Sequence, residues 1–165
     1  MRRCFFIFDY EGDLDEVRRV AELGLVHAVS AAGFQDLTLW STYKAKGVEE
    51  VKHRIDKALM GTTCSVVFIG PRTASLGYVK YAVERSIQRS NGLLGIHIHA
   101  LKNPIASAGE RGPVPYQREA AARFGGQSYP VHDWDSEYFV DWVNQAATDW
   151  RNYVRVKPAQ PAGAA

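Results

Sequence analysis

The chain has 165 residues, 46% of them hydrophobic and 23% charged, which is ordinary for one globular domain. Its formal net charge of +2 gives no strong field to recruit nucleic acid or an anionic membrane, so neither is expected as a partner. No apolar run approaches the roughly 20 residues of a membrane span, and Asp9 interrupts the short apolar run near the start, so no signal peptide is expected. Cys4 and Cys64 each open an apolar run, which is typical of buried thiols in a reducing cytoplasm.

Hydrophobic periodicity predicts strands and helices that alternate along the chain. Asp13 is expected to cap the first helix and Ser75 the third. The predicted strands occupy residues 4–10, 34–40, 62–70, 91–101 and 127–134, and the predicted helices occupy 14–31, 47–61, 76–90 and 136–150. This alternation is typical of an α/β fold with a doubly wound parallel sheet covered by helices on both faces, and five strands favour the flavodoxin-like order 2-1-3-4-5.

A single domain is expected to cover residues 1–155, followed by a disordered tail at 156–165 that is rich in Pro, Gly and Ala. A long loop insertion at 102–130, with four prolines and four glycines, interrupts the alternation. Because so long a connection is unusual in a compact domain, it is interpreted as a lid, an assembly surface or a plain excursion.

Ligands of such sheets bind at the carboxyl ends of the strands, beside the switch point between strands 1 and 3. Phe8, Asp9 and Tyr10 end the first predicted strand, and Trp40 ends the second. Trp40 is placed either to stack on a nicotinamide or adenine ring or to close the top of the core. Asp9 and Tyr10 have the same ambiguity, and Asp9 is placed either to bind ribose hydroxyls or to cap the loop.

The third predicted helix has two stripes of different character. Its core stripe repeats valine and isoleucine at four-residue spacing. The second stripe joins Tyr78, Ala82 and Arg85, and the first two of these are expected to face the mouth of the cleft. An aromatic ring and a guanidinium therefore flank a methyl group that can do no chemistry.

Several nucleotide-binding and metal-binding classes are disfavoured by missing motifs. Neither a P-loop GxxxxGK[ST] nor a GxGxxG opens a helix, and the third strand ends in FIG without the aspartate of a phospho-receiver domain. His97 and His99 share one face of a predicted strand, but no third ligand stands at a recognisable spacing, so no metal site is expected.

Five segments, in this order and spacing, resemble the TIR-like proteins of the bacterial Thoeris anti-phage defence system. They are CFFIFDYEGD, AAGFQDLTLW, IDKALMGTTCSVVFIG, YVKYAVERSIQRSNGLLGIHIHALK and GPVPY, and the resemblance runs from about Arg3 to Pro115. It implies a TIR-like fold and an enzyme that uses NAD⁺ as substrate, without a metal, and cleaves it between nicotinamide and ribose. It further implies a cyclic or conjugated ADP-ribose messenger that activates a separate effector, a phage-derived activator and, by analogy with TIR domains, a homo-oligomer.

The resemblance also places the family's catalytic glutamate. The family motif on the third helix is close to [WY]-V-x-Y-E-[IV], and here it reads YVKYAV at residues 78–83, so the glutamate position is Ala82. Glu84 does not replace it, because two helical positions rotate a side chain by about 200°. Two explanations stay open: an engineered Glu→Ala change and a naturally inactive relative. The first strand also departs from the family, which often has Ser and His where this chain has Ile7 and Asp9.

Loss of nicotinamide builds positive charge on the ribose, and a carboxylate beside that carbon stabilises it. The resemblance and the predicted cleft together assign NAD⁺ binding to Phe8, Asp9, Tyr10, Trp40, Tyr78 and Arg85. Two other functions stay open. One is a catalytically inactive sensor or scaffold that binds a phage component or self-assembles, and the other is an enzyme similar to nucleoside deoxyribosyltransferases.

Overall fold

The computed structural model describes residues 1–102, 111–116 and 129–156, with the backbone alone described at 102 and 149–156. Its strands are β1 (Arg3–Ile7), β2 (His27–Val29), β3 (Cys64–Ile69), β4 (Gly92–His97) and β5 (Val131–Asp133). Its helices are α1 (Tyr10–Glu22), α2 (Thr38–Lys46), α3 (Val48–Leu59), α4 (Gly77–Gln88), α5 (His99–Lys102) and α6 (Phe139–Val156). A short 3₁₀ turn at Thr73–Ser75 precedes α4.

The five strands form one parallel sheet in the order β2-β1-β3-β4-β5, which confirms the predicted α/β fold and strand order. Every residue of β3 and β4 is buried. Strands buried throughout their length must be covered on both faces, and their apolar, β-branched sequences suit that environment. The sheet adds β2 on one side of β1, and then β3, β4 and β5 on the other side. The order of strands therefore reverses between β1 and β3, which is the switch point of the sheet.

The prediction of the second strand is wrong. Residues 34–40 do not form a strand: Thr38–Lys46 is helical, and β2 is instead His27–Val29. The first helix stops at Glu22 because Gly24 adopts a φ of +66°, which favours glycine. The apolar residues after Gly24 happen to continue the helical spacing of α1, and this hid the short edge strand.

The ends of three further elements also differ from prediction. Asp9, and not Asp13, caps α1. Ser75 lies in the 3₁₀ turn and its hydroxyl donates to the Arg72 carbonyl, so it does not cap α4. The fourth strand ends at His97, and His99 begins α5, so the two histidines do not share a strand face.

Cys4 and Cys64 are neighbours in the register of β1 and β3, and both are fully buried free thiols, as predicted. The contact with Cys4, together with burial, raises the pKa of Cys64 well above its ordinary value. Of the predicted insertion 102–130, only the backbone at 102 and residues 111–116 and 129–130 are described; most of the predicted tail 156–165 lies outside the described residues. Within the described ranges, no helix is both long and apolar enough to cross a bilayer.

Candidate functional site

The carboxyl ends of β1 and β3 meet at the switch point of the sheet, where the loops to α1 and α4 begin. Asp9 follows β1 there and is only 2% exposed. Its Oδ1 accepts the backbone N–H groups of Glu11 and Gly12, both at 3.1 Å, and so caps α1. A side chain at residue 12 would put its Cβ 2.5 Å from the Asp9 carboxylate, so this close cap requires glycine. Of the two predicted roles of Asp9, capping is the one observed, and contact with ribose stays a prediction.

Arg72, from the loop after β3, completes the surroundings of Asp9. Its Nε lies 2.9 Å from Oδ2 and its Nη2 lies 3.0 Å from Oδ1. This two-pronged ion pair is the geometry in which a guanidinium binds a carboxylate most strongly. The contact with Asp9 raises the pKa of Arg72. The sequence places Arg72 at the end of the third predicted strand, but sequence reasoning gave it no role in the site.

Four aromatic side chains assemble beside this ion pair. Tyr10 stacks on Trp40 with ring centroids 4.4 Å apart, and Phe8 lies 4.3 Å from Tyr10. Tyr78, at the start of α4, lies 4.6 Å from Trp40. The hydroxyl of Tyr78 accepts the Tyr10 N–H at 3.0 Å and donates to the Phe8 carbonyl at 3.0 Å. The fold thus brings together Phe8, Tyr10, Trp40 and Tyr78, which we call the aromatic assembly, next to Asp9.

Burial makes the two tyrosines of the aromatic assembly weaker acids. It raises the pKa of Tyr10 to about 12, and the Tyr10 hydroxyl accepts the Ala32 N–H at 3.1 Å. Burial also raises the pKa of Tyr78. The Tyr78 hydroxyl fixes the loop after β1, and the Tyr10 hydroxyl binds the loop after β2.

Trp40 enters the assembly from α2, and not from the end of a strand as predicted. It is 2% exposed, and its Nε1 has no hydrogen-bond partner among the residues that the structure describes. Lys44, one turn further along α2, forms an ion pair with Glu11 of α1. The hydrogen bond from Lys44 lowers the pKa of Glu11.

A cavity of about 320 Å³ opens between α2, α3 and α4. Its walls include the rings of Trp40, Tyr78 and Tyr81, and two cationic residues, Lys44 and Lys52, also line it. Small-molecule sites typically begin at about this volume and combine apolar walls with a few polar groups. The cavity can therefore hold a planar ring against aromatic faces. This property alone does not distinguish a catalytic site from a binding site.

Ala82 is 2% exposed and shares the buried face of α4 with Val79, Val83 and Ser86. The Ser86 hydroxyl donates to the Ala82 carbonyl at 2.7 Å. Tyr78 stands one helical turn before Ala82. Ala82 is not among the residues that line the cavity beside Tyr78. The prediction that its side chain faces the mouth of the cleft is therefore wrong, because the methyl group packs in the core. The role of position 82 as the site of the family's glutamate stays a prediction.

Arg85 is engaged outside the aromatic assembly. Its Nε donates to Asp56 of α3 at 2.9 Å and its Nη1 donates to Gln88 at 2.9 Å. NAD⁺ binding by Arg85 stays a prediction. Among the described residues, no group of three or more His, Cys, Asp or Glu side chains could hold a metal ion.

The family model for the Thoeris protein ThsB, TIR-like domain, matches residues 5–103. The chain belongs to this family. The match runs from within β1 to the end of α5 and contains the whole aromatic assembly, Arg72 and the 78–83 motif.

Among curated proteins, this ThsB-family chain is similar to one from Bacillus cereus (strain MSX-D12) named "Putative cyclic ADP-D-ribose synthase ThsB1". The two are 32% identical over 117 residues, which cover 70% of this chain and 61% of the relative. The ThsB-family chain therefore spans less than two thirds of the length of the relative that it matches.

Proposed function

We propose that this chain is a TIR-like domain of Thoeris anti-phage defence whose cleft binds NAD⁺ for cleavage between nicotinamide and ribose. The observation that carries the proposal is the aromatic assembly at the switch point, with a cavity of about 320 Å³ beside α4, in a chain of the ThsB family. The name of the Bacillus cereus relative, a cyclic ADP-ribose synthase, supports NAD⁺ as the substrate.

The rings of the cleft suit the two aromatic ends of NAD⁺. Stacking of a base on an aromatic side chain contributes on the order of 1–3 kcal/mol. Tyr78 and Tyr81 line the cavity, are half-buried and can present such faces, whereas Trp40 is buried and stacks on Tyr10 behind them. Lys44 and Lys52, which also line it, supply positive charge for phosphate oxygens.

The chemistry requires a carboxylate that this chain lacks at position 82. As nicotinamide departs as a neutral molecule, positive charge develops on the ribose, and an adjacent carboxylate stabilises it. Removing such a group costs on the order of 10²–10³ in rate. We therefore infer that Ala82 leaves this chain able to bind NAD⁺ and unable to turn it over. With glutamate there, the ADP-ribose portion becomes a cyclic or conjugated messenger that activates a separate effector.

The test restores the carboxylate. Ala82→Glu, with Ala82→Gln as a control of nearly equal shape and no charge, is incubated with NAD⁺ and lysate from phage-infected cells, and nicotinamide release is followed by mass spectrometry. We expect release and an ADP-ribose-derived product from the glutamate variant alone. A glutamate variant that binds NAD⁺ and releases no nicotinamide under these conditions contradicts the proposed reaction. Sedimentation of the same mixtures tests the proposed homo-oligomer and its dependence on a phage-derived activator.

A second candidate function is favoured by Ala82 itself. A domain without the carboxylate suits an inactive sensor that binds a phage component or self-assembles. It predicts that Ala82→Glu stays inert while a viral protein copurifies with both forms. Ala82→Glu therefore distinguishes the two candidate functions, because the variant gains turnover of NAD⁺ only if the domain is an enzyme.

A further inference from the structure

Tyr81, on α4, is held from two sides by residues of α3. The Nζ of Lys52 lies 5.2 Å from the centre of the Tyr81 ring, a cation–π distance. The Tyr81 hydroxyl lies 3.0 Å and 2.9 Å from the two carboxylate oxygens of Asp56. Lys52 and Asp56 stand one turn apart on α3, so one helix face contacts both the ring and the hydroxyl.

Asp56 also binds Arg85, one turn beyond Tyr81 on α4, through the guanidinium Nε at 2.9 Å. The contact with Asp56 raises the pKa of Arg85. Burial, followed by the hydrogen bond to Asp56, raises the pKa of Tyr81, whose hydroxyl donates to the carboxylate. One carboxylate of α3 therefore accepts hydrogen bonds from two successive turns of α4.

The position of the Tyr81 ring matters because Tyr81 lines the cavity and directly precedes Ala82. Asp56 does not line the cavity. The hydrogen bond to Tyr81 therefore connects Asp56 to the wall of the cavity. Without the anchor on its hydroxyl, the ring would be free to change its tilt, and the shape of the cavity would change with it.

We propose that Asp56 is a positioning residue that fixes Tyr81 as a wall of the cavity and thereby sets the affinity for NAD⁺ without touching it. This inference rests on the proposed function, in which the cavity receives a ring of NAD⁺. It assigns Arg85 to the same cluster, as a partner of Asp56 rather than a ligand of the nucleotide.

Titration calorimetry of the full chain with NAD⁺ tests the effect on affinity. A hydrogen bond to a charged group is strong enough that Asp56→Ala is expected to weaken binding about tenfold. Asp56→Asn keeps an oxygen that accepts the Tyr81 hydroxyl, and we expect it to restore most of the affinity. Tyr81→Phe removes the other half of the contact and is expected to match Asp56→Ala, with no further loss in the double variant. Asp15→Ala breaks an ion pair with Arg18 on α1, so it controls for loss of a surface charge and is expected to leave affinity unchanged.

The effect of Asp56 on the Tyr81 ring is measured in the absence of nucleotide. The chain is labelled with 3-fluorotyrosine, and the Tyr81 signal is assigned through Tyr81→Phe. We expect its fluorine resonance to shift or broaden in Asp56→Ala and to recover in Asp56→Asn. An unchanged resonance overturns the positioning role whatever the nucleotide does. A changed resonance with unchanged affinity overturns the link to binding. A wild-type chain that binds no NAD⁺ defeats the proposed function, and the fluorine spectra then still decide whether Asp56 anchors Tyr81.

Discussion

Arg72 contacts the buried carboxylate of Asp9 with two nitrogens, at 2.9 and 3.0 Å, and so joins the loop after β3 to the loop after β1. The Arg72 side chain is 54% exposed, whereas that of Asp9 is 3% exposed. The pair therefore has one end in water and one in the protein. Its main structural effect is to hold the N-terminal cap of α1 in place beside the aromatic assembly.

Removing the Asp9 carboxylate should destabilise the fold. Asp9→Ala removes the cap and one partner of the ion pair, and we expect a loss of about 1–3 kcal/mol in the free energy of unfolding. Asp9→Asn keeps an oxygen for the cap and should lose less. Urea unfolding of the three proteins checks this order. Equal losses in the two variants would show that the charge, and not the cap, carries the effect.

Stability should fall at alkaline pH because of Tyr10. Burial raises the pKa of Tyr10 to about 12, whereas an unfolded chain loses this proton near 10. Between these values the unfolded state binds fewer protons than the folded state, so the free energy of unfolding decreases as pH rises, by about 3 kcal/mol in total.

Urea unfolding between pH 9 and pH 12 measures this decline. Tyr10→Phe cannot titrate, so its decline should be shallower, although it starts lower because the hydrogen bond from Ala32 is lost. Tyr138→Phe, at a position 49% exposed, serves as the control and should follow the wild-type curve. Parallel curves for Tyr10→Phe and wild type would refute the assignment.

The central strands were predictable, and the edge of the sheet was not. The runs at 4–8 and 66–69 are continuous and apolar, and such runs have few alternatives to a buried strand. The strand His27–Val29 is only three residues long, and its apolar residues continue the helical spacing of α1. Hydrophobic periodicity cannot distinguish a short strand from a continued helix when a single glycine lies between them.

Several residues of the candidate site could be predicted even though the second strand was predicted wrongly. Phe8, Asp9 and Tyr10 follow β1, whose place at the switch point comes from the strand order alone. Trp40 was expected on a strand and comes from α2, yet it still reaches Tyr10. Arg72 was placed at the end of the third predicted strand but given no role, and Asp56 was missed, because the contacts of a charged side chain across two elements leave no periodic signal in the sequence.

Replacement by alanine should lower the stability of the protein at Gly112 and raise it at Gly77. At Gly112 an added Cβ would clash with the carbonyl oxygen of Gly70, a backbone atom that cannot move cheaply. We expect Gly112→Ala to cost about 1–3 kcal/mol of stability. Gly77, the first residue of α4, has no atom within 4 Å of the added Cβ, so Gly77→Ala should stabilise by about 0.5–1 kcal/mol. Thermal unfolding of both variants checks the signs, and a stabilised Gly112→Ala would mean that the 111–116 segment does not pack on the end of β3.

A glutamate placed at position 82 should cost stability even if it gives the chain activity. Ala82 is 2% exposed, and a carboxylate placed there loses water before any substrate is present. We expect Ala82→Glu to lower the free energy of unfolding by about 1–3 kcal/mol at neutral pH in the absence of nucleotide, and Ala82→Gln to lower it less.

The pH dependence separates charge from size at this position. Burial raises the pKa of a carboxyl group, so the glutamate variant should be most stable at acidic pH and lose stability as pH rises above about 4.3, where the unfolded chain ionises. The glutamine variant should lack this added slope. Urea unfolding of both variants from pH 4 to pH 8 measures it. If the glutamate variant is as stable as wild type throughout, position 82 opens to the water of the cleft, and the buried face of α4 is not where its side chain points.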